Sequence, residues 1–366
     1  MWVFGGGKEG EIKMKVLYVD MSWRGGIADH TELLVNSLCD FCDVSVLLPN
    51  NSVIKDRLRT PYYTDSLENA LKNDDFDIIH FSSYDTKKLI PFTITNKIKR
   101  KYKIVYSVHN VLPHIYERKS YHYLSKFMLY HLPIDAFVAF SNYSKDLLTN
   151  RFIVDKNKIY VIPFGNFLSF NKNKFTKETA REKLKIPVEK KVVLFFGYVR
   201  KYKGLDYLVE AFKYLDTDSL LLVIAGPPYQ KGMDKYLKEL SKISYIKVFS
   251  YHINRDEIEP YFKSSDIVVY PYVEIFTTSA LQLAFAFKKP VIATNIGCFP
   301  EDISDAGLLV PPKDPKALAQ AIEKLIDDEK LQRKLAKKGY ERAKTYFSWE
   351  KIAFEYIKMY EDLIDK

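Results

Sequence analysis

Three cations, Arg200, Lys201 and Lys203, stand in FFGYVRKYKG (195–204), between KVVLFFG (191–197) and LDYLVEAFKYL (205–215). The first segment reads as a buried strand. The second reads as a helix, with Leu205, Leu208, Val209, Phe212 and Leu215 at helical spacing. A helix N-terminus offers unpaired N–H groups and partial positive charge, so cations there are unfavourable unless an anion shares the place. Two readings fit: a solvated turn with snorkelling lysines, or a phosphate site.

A second candidate is MSWRGGIADHTELLVNSL (21–38), directly after the strand-like KVLYVD (15–20). Gly25 and Gly26 let backbone N–H groups approach a ligand where a helix begins. A third is YPYVEIFTTSALQLAFAFKKPVIAT (270–294), where Glu274 sits in a loop and Thr277, Thr278 and Ser279 open an apolar helix. Hydroxyls and free N–H groups at a helix start cradle phosphate; ordinary capping explains the hydroxyls but not the carboxylate before them.

Other patterns carry less. GGGKEG (5–10) imitates a dinucleotide fingerprint but follows no strand. Asp75/Asp77 and Asp216/Asp218 precede strands, where carboxylates cap turns, so no metal site is expected. Cys39 and Cys42 form a C-x-x-C at the end of a helical segment, and Cys298 stands alone. With no second Cys/His pair at ligand spacing, all three read as structural thiols in a reducing compartment.

These residues need elements to place them. Strand-like runs alternate with helical ones along all 366 residues. Beyond those already quoted they are VSVLLP (44–49), FDIIHFS (76–82), KIVYSVH (103–109), DAFVAFS (135–141), KIYVIP (158–163), LLLVIAG (220–226), YIKVFS (245–250), DIVVYP (266–271) and PVIAT (290–294). Such alternation implies α/β architecture with parallel sheets. The polar stretch 171–191 is the natural join between two Rossmann-like domains, whose facing strand ends would form a ligand cleft. Three charged helices start near Pro315, Asp328 and Trp349. No apolar run reaches 18 residues, and MWVFGGGKEGEIK lacks a signal-peptide core, so a cytoplasmic protein is expected. The net charge of +10 is spread over both halves, which argues against a dedicated nucleic-acid domain.

Taken in order, RGG…H (24–30), SVHNVLPH (107–114), FSNYSKDLL (140–148), VIPFG (161–165), FGYVRKYKGLDYLVEAF, AGPP (225–228), PYVEIFTTSALQLAFAF and FSWEKIAFEYIKMYE resemble the retaining glycosyltransferases of family 4, over almost the whole chain. The resemblance implies a GT-B fold with an acceptor domain over 1–165, a nucleotide-sugar donor domain over 166–348, and a last helix, 349–366, crossing back to the first. It implies no cofactor, only a nucleotide-sugar co-substrate, UDP- or GDP-linked. Lys203 matches the lysine that grips the donor diphosphate. Its arginine partner is displaced to Arg200, because Tyr198 follows Gly197 directly. Glu274 matches the residue that contacts the donor sugar. The second glutamate of the family's pair is replaced by Gln282, an amide able to hold ribose hydroxyls. His109 matches the histidine near the donor sugar. Gly25, Gly26, Gly197, Gly226, Thr277, Thr278 and Ser279 fall in the donor-binding motifs, and His30, Asn110 and His114 on the acceptor side. His80, His122, His131 and His252 match no motif and read as structural.

Three alternatives stay open: a sugar-nucleotide epimerase, a phosphorylase, or a non-catalytic nucleotide-sugar binder on the same scaffold. KIKRKYK (97–103) and IYERKSYHYLSKFMLYHL (115–132) mix cations with Tyr, Phe, Met and Leu. They suit either contact with an anionic membrane at the inner leaflet or a solvated charge run beside an aromatic core helix.

Overall fold

The computed structural model describes residues 14–64, 66–84, 86–99, 101–117 and 119–365; the leader MWVFGGGKEGEIK, GGGKEG included, lies outside the described residues. The first domain holds seven parallel strands: β1 (Lys15–Asp20), β2 (Asp43–Leu47), β3 (Tyr62–Tyr63), β4 (Ile78–Ser83), β5 (Lys103–Val108), β6 (Ala136–Ala139) and β7 (Ile159–Val161). The second holds six: β8 (Lys191–Phe196), β9 (Leu220–Ala225), β10 (Ile246–Phe249), β11 (Ile267–Tyr270), β12 (Val291–Thr294) and β13 (Gly307–Val310). β9, β11 and β12 are buried along their whole length, as parallel strands covered by helices on both faces must be. β3 and β13 are strands that the apolar runs did not separate: β3 has two residues, and β13 begins at a glycine.

The strand orders are β3-β2-β1-β4-β5-β6-β7 and β10-β9-β8-β11-β12-β13. In each sheet the direction of winding reverses beside the first strand, between β1 and β4 and between β8 and β11. Crossovers leave such a switch point to opposite faces, so the loops after the strands part and open a crevice. The glycine turn after β1 and the cationic turn after β8 both sit at switch points.

Helix Trp349–Ile364 packs on helix Gly26–Leu38 of the first domain. Its Tyr360 hydroxyl hydrogen-bonds His80 Nδ1 at 2.6 Å, while His80 Nε2 meets Ser107 Oγ at 2.8 Å. His80 is therefore a satisfied core histidine. The join between sheets is fixed to the second domain: buried Arg181, on helix Lys177–Leu184, pairs with Asp266 at 2.9 Å and donates to the Ser264 carbonyl.

Candidate active site

The two switch points face one another across a cleft of about 660 Å³, which shares Trp23, Arg24, Gly25, Gly26 and Lys203 with an adjoining cavity of about 550 Å³. On the second-domain side the chain leaves β8 at Gly197, whose φ of +107° suits glycine. A β-carbon there would lie 3.0 Å from Lys203 Nζ, so the missing side chain is the space the ammonium occupies. Gly226, after β9, packs on the Gly197 carbonyl and lines the cleft.

Lys203 closes the short turn Lys201–Lys203 and is 8% exposed. Its Nζ sits 5.3 Å from the Tyr272 ring centroid, and among the described residues no carboxylate forms an ion pair with it. Burial, with the Arg200 guanidinium adding repulsion, pushes its ammonium down to about 7. Arg200 lines the adjoining cavity, with its guanidinium 3.5 Å above the Tyr229 ring. A buried, unpaired ammonium beside a guanidinium is an arrangement that an anion would relieve.

Helix Ser279–Ala286 points its N-terminus into the same cleft, with the Thr278 hydroxyl capping the Ala280 N–H at 3.2 Å. Thr277, Thr278 and Ser279 all line the adjoining cavity. Ser279 Oγ occupies the space a β-carbon on Gly26 would need, so glycine at the start of helix Gly26–Leu38 permits the two domains' helix N-termini to meet. Gly25 caps that helix and lines both cavities. Cations and helix N-termini from both domains thus converge on one space.

On the first-domain wall, His109 and Asn110 follow β5 and line the adjoining cavity. His109 Nε2 shares a hydrogen bond with Ser82 Oγ at 2.9 Å, and its ring stacks on Phe140 at 4.8 Å. Burial, with a smaller push from Lys126, lowers it to about 3, which favours the neutral imidazole. His30 does not reach the cavity lining. It is wholly buried against Phe164, Trp349 and His109, and burial holds it well below the ordinary histidine range.

Two expected donor residues stand elsewhere. Glu274 does not line the cleft. Its Oε2 accepts the Ile115 N–H at 2.8 Å and lies 3.6 Å from His114 Nδ1, so the carboxylate spans the domain boundary. Gln282 is buried but off the lining; Ser279 and Leu283, four residues apart and so on one helix face, line the cleft instead. His114 lines the adjoining cavity and stacks on Tyr202.

His252, expected to be structural, lines both cavities with Trp23 and Arg24. Arg57 and Arg255 also line the cleft, where Glu32 pairs with them at 3.0 and 2.7 Å. The Arg255–Glu32 pair joins residues 223 positions apart, which no local pattern announces. Asn142 and Glu301 make another bridge between domains, at 2.8 and 2.9 Å.

One carboxylate of each Asp pair accepts a backbone N–H: Asp77 that of Lys15, 62 positions away at the start of β1, and Asp216 that of Asp218, in a turn. Among the described residues no group of three or more His, Cys, Asp or Glu is placed to hold a metal ion. Cys39 and Cys42 are not joined in a disulfide, and their thiols donate to the Val35 and Leu38 carbonyls.

Residues 25–165 match the family described as Glycosyltransferase Family 4, and residues 176–342 match Glycosyl transferases group 1. An uncharacterized glycosyltransferase of Methanocaldococcus jannaschii is 29% identical over 227 residues, 59% of this chain and 57% of that protein. A D-inositol 3-phosphate glycosyltransferase of Corynebacterium glutamicum is 30% identical over 230 residues, 59% of this chain and 54% of that protein. The match thus spans little more than half the length of either relative. The fold is shared with Anabaena HepE in complex with UDP-glucose, at a TM-score of 0.78 and 18% identity over 95% of this chain and 100% of that one. With one family match on each of two facing parallel-sheet domains, the chain belongs to the group 1 glycosyltransferases of family 4 type, with the GT-B fold.

Proposed function

We propose that this protein is a retaining glycosyltransferase that moves a sugar from a nucleotide-sugar, UDP- or GDP-linked, to a glycan, lipid or small-molecule acceptor. The observation that carries this reading is Lys203: a buried ammonium with no carboxylate partner among the described residues, set beside Arg200 in the cleft that the N-terminus of helix Ser279–Ala286 lines. A diphosphate supplies the missing negative charge. In the reaction the anomeric carbon–diphosphate bond breaks and a bond to the acceptor oxygen forms on the same face. The acceptor proton passes to the leaving diphosphate oxygen, so no carboxylate nucleophile is required. The protein contributes position, charge stabilisation and exclusion of water. Asp77 and Asp216, one from each Asp pair, accept backbone N–H bonds, and the cations lining the cleft offer charge stabilisation without a metal.

Incubation with a panel of UDP- and GDP-sugars, with and without acceptors, tests the reading. The panel includes inositol phosphate, since one relative is described as acting on D-inositol 3-phosphate. Acceptor-dependent release of the nucleoside diphosphate is expected. Isomerised donor without acceptor would instead indicate an epimerase, transfer to inorganic phosphate a phosphorylase, and binding without turnover a non-catalytic protein.

A lipid-borne acceptor is favoured by one further feature. Helix Ser120–Tyr130 exposes Tyr121, Leu124, Phe127 and Met128, beginning a few residues after His114. Among the described residues no helix is long and apolar enough to cross a membrane. A protein resting on the inner leaflet, with this helix as its contact, fits both features.

A further inference from the structure

We propose that His114 is a positioning residue: by stacking on Tyr202 across the domain boundary it sets the turn that carries Arg200 and Lys203. The proposal rests on the nucleotide-sugar reading above and assigns His114 a role distinct from acceptor contact.

The geometry is specific. The His114 and Tyr202 ring centroids lie 3.5 Å apart with planes 11° from parallel. Tyr202 is buried between the two cations in sequence. Its carbonyl accepts the Val273 N–H at 2.8 Å, and its ring meets Tyr272 edge-on at 5.9 Å. Tyr272 is the ring over which Lys203 Nζ lies. The stack therefore presses on the scaffold that holds the ammonium. The next residue repeats the link: the Ile115 N–H donates to Glu274, one residue beyond Val273. Two adjacent residues of the first domain thus hold two adjacent loops of the second. A stacked aromatic pair stiffens its partner, and a small displacement of a charged group weakens its grip on an anion steeply.

A double-mutant cycle on UDP and GDP affinity, measured by calorimetry without acceptor, tests this. His114→Ala should weaken binding of whichever nucleotide binds by on the order of tenfold, while His114→Phe, which keeps the stack, stays within about twofold. In a Lys203→Ala background the His114→Ala effect should shrink, because of the two cations the turn carries only Arg200 remains. An equal loss in both backgrounds would overturn the proposal. So would unchanged nucleotide affinity with only a raised KM for the acceptor, or rescue by His114→Gln but not by His114→Phe. Failure of the unaltered protein to bind either nucleotide would instead sink the nucleotide-sugar reading, and this proposal with it.

Discussion

Lys203 Nζ lies over Gly197, in the space that a β-carbon at residue 197 would crowd at 3.0 Å. Glycine and lysine, six residues apart, form one unit. Gly197→Ala should strain the backbone at a φ of +107° and displace the ammonium together. The strain costs roughly 1–3 kcal/mol of stability. Thermal unfolding should report that loss, and UDP or GDP affinity should fall beyond what the stability change explains. A destabilised protein with unaltered nucleotide affinity would separate the two residues.

Lys203 itself should make nucleotide binding pH-dependent. Burial beside Arg200 puts its pKa near 7 in the free protein, so the charge is lost as pH rises through that value. A bound diphosphate favours the charged form, so binding takes up a proton above pH 7. Affinity should therefore fall by up to about tenfold per pH unit above 7, until the bound-state pKa is reached. The same depression, relative to an unfolded lysine, means the group's cost to stability is relieved as pH rises from about 7 toward the ordinary lysine range. Lys203→Met should flatten this dependence and cut turnover by on the order of 10²-fold, as loss of one charge-stabilising group does. Titration calorimetry from pH 6 to 9 measures the slope.

The parts of this site that were legible in the sequence are those made by short segments. FFGYVRKYKG shows its strand, its turn and its misplaced cations because strand period, helix period and charge all lie within residues 191–215. The glycine turn after β1 and the hydroxyl-rich helix start after β11 were legible for the same reason. Side-chain direction was not. Glu274 matches a family residue that contacts the donor sugar, yet its carboxylate finds the Ile115 N–H, 159 positions away in sequence. His252 looked structural because only the packing of two domains brings it opposite Arg24. β3 and β13 were too short to show a period.

Glu274 and Gln282 should fail differently. Glu274→Ala removes the acceptor of the Ile115 N–H and loosens the boundary, so turnover should fall more than affinity for free UDP or GDP. Gln282 is buried with no partner for Oε1 among the described residues, so Gln282→Ala should weaken nucleotide binding by roughly 1 kcal/mol if that oxygen serves a ribose hydroxyl. Gln282→Leu separates the cases: a more stable protein with full nucleotide affinity would make Gln282 a packing residue only.

Chelation should leave activity intact. Lys203, Arg200 and the N-terminus of helix Ser279–Ala286 offer positive charge in the cleft, and Asp77 and Asp216 are each engaged by a backbone N–H. Assays with EDTA, with and without added Mg²⁺ or Mn²⁺, should coincide. Loss of turnover restored by either ion would contradict a metal-independent transfer.

Helix Ser120–Tyr130 provides the last expectation. Tyr121, Leu124 and Met128 are 58%, 63% and 53% exposed, and their spacing places them on one helix face, with Phe127 beside them. Lys119 and Arg151 stand at its border, near the Tyr121 and Tyr123 rings. KIKRKYK contributes less that can be placed, since Arg100, like Arg118 of the helix-leading segment, lies outside the described residues. Burying such side chains in a membrane interface gains about 1.5–3 kcal/mol each, and each cation adds about 1 kcal/mol on an anionic leaflet. Together these suffice for reversible attachment without a spanning segment. The protein should float with vesicles containing phosphatidylglycerol and stay behind with neutral phosphatidylcholine vesicles. Leu124→Ser with Met128→Ser should abolish flotation while leaving nucleotide affinity unchanged, because neither residue lines the cleft. Equal recovery with neutral and anionic vesicles would make the exposed row an ordinary helix surface.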